Sequence, residues 1–141
     1  MKILIDTNIL LDVFYKRENL YETSLNVFKL CETKIVEGYI SSLSIANIIY
    51  IMRKELNNSK INSLIKKLSL IFNIVDLTVC DLLKATEIDY SDYEDALQCV
   101  EASRLKLEYI ITRNTKDFIH SNVRAITPQN FIENIISVSK N

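Results

Sequence analysis

Aspartate and asparagine side chains stand where apolar stretches of this sequence end or helical patterns begin. Asp6 and Asn8 follow the apolar run Ile3-Leu4-Ile5, and Asp92 and Asp95 lie three residues apart at the start of a helical pattern. Oxygen ligands of this kind select hard cations such as Mg²⁺ or Mn²⁺. A cation of this type can activate water and screen phosphate charge. These residue types therefore predict metal-dependent hydrolysis of a phosphodiester.

A pair of carboxylates needs a cation because the two charges repel each other, by on the order of 4 kcal/mol at about 4 Å and an effective dielectric near 20. We expect Asp6 and Asp95 to be direct ligands, with Asp92 or Asp117 holding water or a second ion. Asp6 taken alone would most often be a helix cap, and acids in a first helical turn are ordinary dipole partners. Helical spacing puts Asp92 and Asp95 on one face and turns Glu94 elsewhere.

The elements that must position these side chains follow from the hydrophobic pattern, in which short apolar runs alternate with helical periodicity. This alternation predicts an α/β fold, a three-layer sandwich with a mostly parallel sheet of four to five strands flanked by helices. The predicted strands are residues 2–5, 39–40, 74–77, 109–112 and 123–126, with Glu37-Gly38 as a break. The predicted helices are residues 9–14, 20–32, 44–56, 61–72, 78–88, 92–107 and 128–138.

Ligands of parallel sheets bind in the crevice beyond the carboxyl ends of the strands. Asp6 lies at such an end, residues 41–47 follow the second predicted strand, and residues 112–117 follow the fourth. Together with the helix that begins near Asp92, four segments are expected to converge on one crevice. The candidate site is therefore placed at this edge of the sheet.

Several other kinds of chemistry lack the residues they need. Gly38 is the only glycine, which excludes phosphate-cradling loops, dinucleotide fingerprints and a Gly-x-Ser-x-Gly elbow. His120 is the only histidine, so catalytic triads and histidine zinc sites are incomplete unless His120 acts alone as a base. A receiver-like phospho-accepting domain would need adjacent acids, but Thr7 follows Asp6. An Asp-x-Asp phosphatase fails because residue 8 is Asn8.

Composition indicates one domain over residues 1–141, and no run approaches the roughly 20 apolar residues of a membrane span. Three scattered cysteines (Cys31, Cys80 and Cys99) favour core packing in a reducing cytoplasm, and Asp6 comes too early for a signal peptide. The net charge is −1, but residues 53–67 are basic and residues 76–101 acidic. These segments are either two solvated helix faces or a polyanion track beside a cation site.

With these motifs in this order, the chain resembles the PIN-domain ribonucleases, which include the VapC-like toxins of bacterial toxin–antitoxin pairs. The resemblance covers almost the whole chain. It rests on residues 3–8, residues 41–51, Asp92-Tyr93-Glu94-Asp95-Ala96-Leu97-Gln98, and Ile110-Ile111-Thr112-Arg113-Asn114 followed by Asp117-Phe118. It implies a PIN-like fold, Mg²⁺- or Mn²⁺-dependent cleavage of RNA, a homodimer, and an antitoxin protein that covers the site.

Under this resemblance the candidate residues take separate roles. Asp6, Asp92, Asp95 and Asn114 are candidate catalytic residues, Asp6, Asp92, Asp95 and Asp117 candidate metal ligands, Asn8, Asn47 and Thr112 supporting residues, and Arg53, Lys54 and Arg113 candidate RNA contacts. Two positions depart from the family pattern. The glutamate expected after the second strand is Asn47, which is the more serious departure, and the aspartate often found after the Thr-Arg pair is Asn114, where asparagine is not unusual. An amide offers a neutral oxygen where a carboxylate is anionic. Two functions therefore stay open, an active endoribonuclease and a catalytically degenerate PIN module that binds RNA or protein.

Overall fold

A five-stranded, fully parallel sheet forms the centre of the molecule, for which a computed structural model describes residues 1–139. The strands are β1 (Lys2–Ile5), β2 (Glu37–Ser41), β3 (Asn73–Val75), β4 (Tyr109–Ile111) and β5 (Arg124–Ile126). The helices are α1 (Thr7–Phe14), α2 (Tyr21–Glu32), α3 (Ser42–Ile51), α4 (Asn58–Ile71), α5 (Val79–Ala85), α6 (Tyr93–Arg104) and α7 (Pro128–Ser139), with a short 3₁₀ helix over Thr115–Phe118. Across the sheet the order is β3-β2-β1-β4-β5.

Side chains alternate between the two faces of the sheet, and each face has its own cover of helices. Ile3 and Ile5 of β1 belong to a core cluster with residues of α1, α2, α3, α4 and α7. Leu4, between them, packs on the opposite face with Cys99 and Ala102 of α6. Helix α5 in turn packs against α6. The predicted three-layer α/β sandwich is therefore confirmed.

Gly38 lies inside strand β2. The prediction that Glu37-Gly38 forms a break before the second strand is therefore wrong. A Cβ at this position would lie 2.6 Å from Cys31 Sγ and 2.7 Å from Phe72 Cδ1. Real Cβ atoms do not approach other heavy atoms so closely. The absence of a side chain at Gly38 therefore allows Cys31 and Phe72 to pack directly against the strand. The only glycine of the chain is thus a packing residue.

Helix ends depart from the prediction by a few residues, for local reasons. Helix α4 begins earlier than predicted because the side chain of Asn57 caps it, accepting a hydrogen bond from Lys60 N at 2.9 Å. Helix α6 ends at Arg104 because Lys106 adopts a left-handed conformation with φ of 55°. Helix α3 ends at Ile51, and hydrogen-bonded turns replace the last predicted residues.

The three cysteines differ in burial. Cys31 and Cys99 are buried and free, in agreement with the predicted core packing. Cys80 is exposed on α5, so the prediction of core packing is wrong for this residue. Within residues 1–139, none of the helices is both long and apolar enough to cross a membrane.

Candidate functional site

A cleft of about 470 Å³ opens at the carboxyl edge of the sheet, where β1, β2 and β4 all end. The cleft is lined by Asp6, Thr7, Asn8, Leu11, Asn47, Tyr50, Ile51, Asp92, Glu94, Asp95, Asn114 and Asp117. Seven of the residues singled out in the sequence therefore meet in one place. Thr112 does not line the cleft but is buried in contact with Asp6.

Asp6 is held in place from two other elements of the fold. It occupies the position before α1 but makes no side-chain capping bond to that helix. Its Oδ1 accepts a hydrogen bond from Gln98 Nε2 at 3.0 Å, and its Oδ2 accepts one from Thr112 Oγ1 at 2.9 Å. The side chain is therefore not a helix cap. A carboxylate oxygen can accept more than one hydrogen bond, so these two bonds leave the carboxylate able to bind a cation.

Burial and crowding of negative charge shift two pKa values in the cleft. Burial raises the pKa of Asp6 above its usual value, although the hydrogen bonds from Gln98 and Thr112 oppose the shift. Burial raises the pKa of Asp95 to about 7, with a further contribution from the charge of Asp6 and smaller ones from the other acids of the cleft. A bound cation would therefore stabilise the ionised form of both carboxylates.

The donor chemistry of the cleft fits a hydrated hard cation. Among residues 1–139, no three acidic, histidine or cysteine side chains are arranged to hold one ion directly. Mg²⁺ and Mn²⁺ do not require such a cage, since Mg²⁺ in particular usually keeps several waters and uses one or two carboxylates. Gln98 Oε1, beside Asp6, is buried and has no hydrogen-bond partner in the described part of the chain. An unused oxygen acceptor therefore belongs to the residue that binds Asp6.

Glu94 also faces the cleft, which corrects the prediction that it turns elsewhere. Thr7 Oγ1 donates a hydrogen bond to Glu94 Oε1 at 2.8 Å. The prediction counted helical spacing from Asp92, but that residue precedes α6 with extended backbone angles (φ −132°, ψ 124°). Helical geometry begins only at Tyr93, so Glu94 and Asp95 both lie in the first turn. Gln98 was missed as well, although its spacing of three from Asp95 could have indicated it.

The remaining polar residues of the cleft are more exposed. Asp92 caps α6 by accepting a hydrogen bond from Glu94 N at 2.8 Å, which leaves its second oxygen uncommitted by that bond. Asn114 and Asp117 lie on the segment after β4, where Asn114 N donates to Thr112 Oγ1 at 3.1 Å. Asn47, on α3, is half-buried. These positions suit contacts with water or substrate more than deep metal ligation.

The three candidate RNA contacts occupy different surroundings. Arg113 pairs with the buried carboxylate of Asp12, at 2.9 Å from Nε to Oδ2, and does not line the cleft. Arg53 is exposed and stacks over Tyr50, with its guanidinium carbon 4.2 Å from the ring centroid. Tyr50 is 65% exposed at the rim of the cleft. Lys54 is exposed next to Arg53.

Comparisons with known proteins agree with this geometry. The PIN domain family profile matches residues 2–116. "Ribonuclease VapC1" of Aquifex aeolicus (strain VF5) is 26% identical over 137 residues, 94% of each chain. A toxin–antitoxin complex from Klebsiella pneumoniae has a chain with a TM-score of 0.67 and 25% identity, covering 89% of this chain and 97% of that one. VapBC2 from Rickettsia felis, solved with a fragment of promoter DNA, gives a TM-score of 0.70 at 18% identity, covering 90% and 98%.

The last of these likenesses concerns the fold alone, because its identity is low. The profile match is of a different kind, since it runs from the first strand to the segment after β4 and includes every acid of the cleft except Asp117. The chain therefore belongs to the PIN domain family.

Proposed function

We propose that the protein is a metal-dependent endoribonuclease that hydrolyses RNA phosphodiester bonds, with Mg²⁺ or Mn²⁺ as cofactor, and that it is the toxin of a type II toxin–antitoxin pair. The observation that carries the proposal is the pairing of Asp6 with Asp95 in one cleft at the carboxyl edge of the sheet. The relatives named above, a ribonuclease and toxin–antitoxin complexes, support the biological role.

In this proposal the side chains of the chain have distinct tasks. Asp6 and Asp95 would hold the cation, and Gln98 and Thr112 keep Asp6 in a fixed orientation through their hydrogen bonds. The bound cation would supply an acidified water and offset the charge that builds on the phosphate oxygens. Asp92 or Asp117, at the exposed side of the cleft, would orient water.

Asn8, Asn47 and Asn114 offer neutral oxygens and amide donors to the substrate at the same cleft. Amide donors can bind phosphate oxygens without adding negative charge near a polyanion. In this proposal Asn114 contacts the reacting phosphate, and Asn8 and Asn47 act in support.

The test is cleavage of single-stranded RNA by the purified protein with Mn²⁺ and with EDTA. We expect cleavage only with Mn²⁺, and a loss of at least about 100-fold in the Asp6→Asn/Asp95→Asn variant, because both anionic ligands become neutral. Product formation on a denaturing gel measures the rate. Equal cleavage by the native protein and this variant would identify a contaminating nuclease and contradict the proposal.

Arg53, together with Lys54, is the expected contact to the RNA backbone. Arg53→Ala is expected to weaken RNA binding and to reduce the slope of log K against log salt by about 1, because one phosphate contact is lost. Binding is measured in EDTA so that the RNA stays intact. Lys29→Ala is the matched control, since Lys29 is exposed near the end of α2, at the opposite edge of the sheet. An equal effect of both variants would contradict a specific contact.

Two further proposals concern assembly. We expect a homodimer in solution, and an antitoxin protein that covers the cleft, as partners of this chain. The exposed side chains at the rim, Tyr50 and Ile51, would be available to such a partner. Both expectations belong to the toxin role and not to the chemistry of the site.

A degenerate PIN module that binds RNA or protein without cleavage is the alternative, because Asn47 and Asn114 stand where the resemblance implies acids. The RNA cleavage assay distinguishes the two functions. If the native protein does not cleave and Asn47→Glu does, the alternative is correct. Cleavage by the native protein excludes it.

A further inference from the structure

The acidic cleft contains one more carboxylate than the sequence prediction placed there. Glu94, on α6, is half-buried and lines the same cleft as Asn47, which stands on α3 at the position where the resemblance to the PIN-domain ribonucleases implies a glutamate. The two residues are far apart in sequence and belong to different helices. Thr7 lies between the two helices, and its hydrogen bonds relate the position of Glu94 to that of Asn47.

Thr7 joins Glu94 to the helix that carries Asn47. The Thr7 hydroxyl is 2.8 Å from Glu94 Oε1 and 2.7 Å from Ser44 Oγ. An ionised carboxylate can only accept, so the single proton of the Thr7 hydroxyl is directed to Glu94. Ser44 precedes Asn47 by three residues on α3, and residues at this spacing are neighbours on one helix face. Glu94 is thereby held against the face of α3 that bears Asn47.

The charge of Glu94 is not neutralised within the protein. No lysine, arginine or histidine among residues 1–139 forms an ion pair with it, and the cleft is lined by no basic side chain of the described chain. Gln98, which donates a hydrogen bond to Asp6, has a buried acceptor oxygen without a partner in the described part of the chain. A carboxylate in such surroundings attracts a cation, because nearby charges of one sign in a recess add to one another.

We propose that Glu94 supplies the negative charge that Asn47 lacks, as a charge close to the hydrated cation and not as a third direct ligand, so that the charge of the cation site is completed from α6 in place of α3. The inference rests on the proposed function, since it assigns a residue to the same metal site. Thr7 is then a positioning residue, which holds the Glu94 carboxylate through its hydroxyl.

The experiment is calorimetric titration of Mn²⁺ alone into the purified protein, which requires neither RNA nor activity. The variants are Glu94→Gln, Asn47→Glu/Glu94→Gln, the Asp6→Asn/Asp95→Asn double variant, and the control Glu87→Gln, an exposed acid outside the cleft. We expect Glu94→Gln to weaken Mn²⁺ binding about tenfold or more, from the loss of one nearby charge. Asn47→Glu in that background should recover most of the affinity, while Glu87→Gln should bind as the native protein does.

Thermal unfolding in EDTA checks that each variant is folded, and Glu94→Gln keeps an oxygen that can accept from Thr7. Native affinity in Glu94→Gln overturns the inference but leaves the proposed function intact, provided that Asp6→Asn/Asp95→Asn does not bind. Weak binding by Glu94→Gln that Asn47→Glu does not recover also overturns it, because the two positions are then not equivalent. Absence of Mn²⁺ binding by the native protein overturns both proposals.

Discussion

Changing Arg17 and Arg113 together to methionine is expected to lower the free energy of unfolding by about 3–5 kcal/mol. Both guanidinium groups pair with Asp12, which is fully buried on α1, at 3.1 Å from Arg17 Nη1 and 2.9 Å from Arg113 Nε. The variant retains the buried carboxylate and removes both counter-ions, and an uncompensated charge is strongly destabilising in a protein interior. Urea unfolding followed by far-UV circular dichroism measures the change.

Adding Asp12→Leu to this variant is the matched control. We expect the triple variant to recover much of the lost free energy, because an apolar residue has replaced each member of the buried cluster. A loss below about 1 kcal/mol in the double variant, the range of an exposed ion pair, would contradict the assignment.

The ion pair also explains why Arg113 does not line the cleft. Arg113 stands between Thr112, which donates to Asp6, and Asn114, which lines the cleft. Its ion pair with Asp12 ties this segment to α1, whose first turn includes Thr7 and follows Asp6. The pair therefore joins the two parts of the chain that shape the acidic cleft, and it gives Arg113 a structural task besides its proposed contact with RNA.

Most of the fold could be predicted because its signals are local. The run Ile3-Leu4-Ile5, the cap Thr78 and the helix-initiating Pro128 each determine an element from a few neighbouring residues. The parallel topology then places the ends of β1 and β4 at one edge, which brings Asp6 and Asn114 into one cleft. The position of the candidate site was therefore accessible from sequence alone.

Contacts between distant residues could not be predicted in the same way. The pair of Arg113 and Asp12 spans the chain, and no local pattern indicates it. The direction of Glu94 depends on the residue at which α6 begins, and a shift of one residue rotates a helical side chain by about 100°. Tyr50 belongs to a continuous apolar stretch of α3, in which periodicity does not tell the exposed face from the buried one.

Glu101→Gln is expected to stabilise the protein at pH 8.5 and to change its stability little at pH 5. Glu101 is fully buried on α6, and burial is the main reason that its pKa rises from 4.5 to about 7. The charge of Asp81 adds to the rise, while the hydrogen bond from Ser41 Oγ and the charge of Arg104 oppose it. Glutamine has the shape of the protonated acid and carries no charge at any pH. Urea unfolding in EDTA across this pH range measures the difference.

The sign follows from the protons bound in each state. Between pH 4.5 and about 7 the folded protein keeps the proton of Glu101 while the unfolded chain has released it, so the free energy of unfolding falls as the pH rises. Above this window both states are ionised and the full loss, about 3 kcal/mol, is present. Glu101→Gln removes this loss, whereas Glu87→Gln, at an exposed position, should keep it. If the free energies of unfolding of the native protein and Glu101→Gln change with pH in parallel, Glu101 has the same pKa in the folded and unfolded states. That result would contradict the prediction.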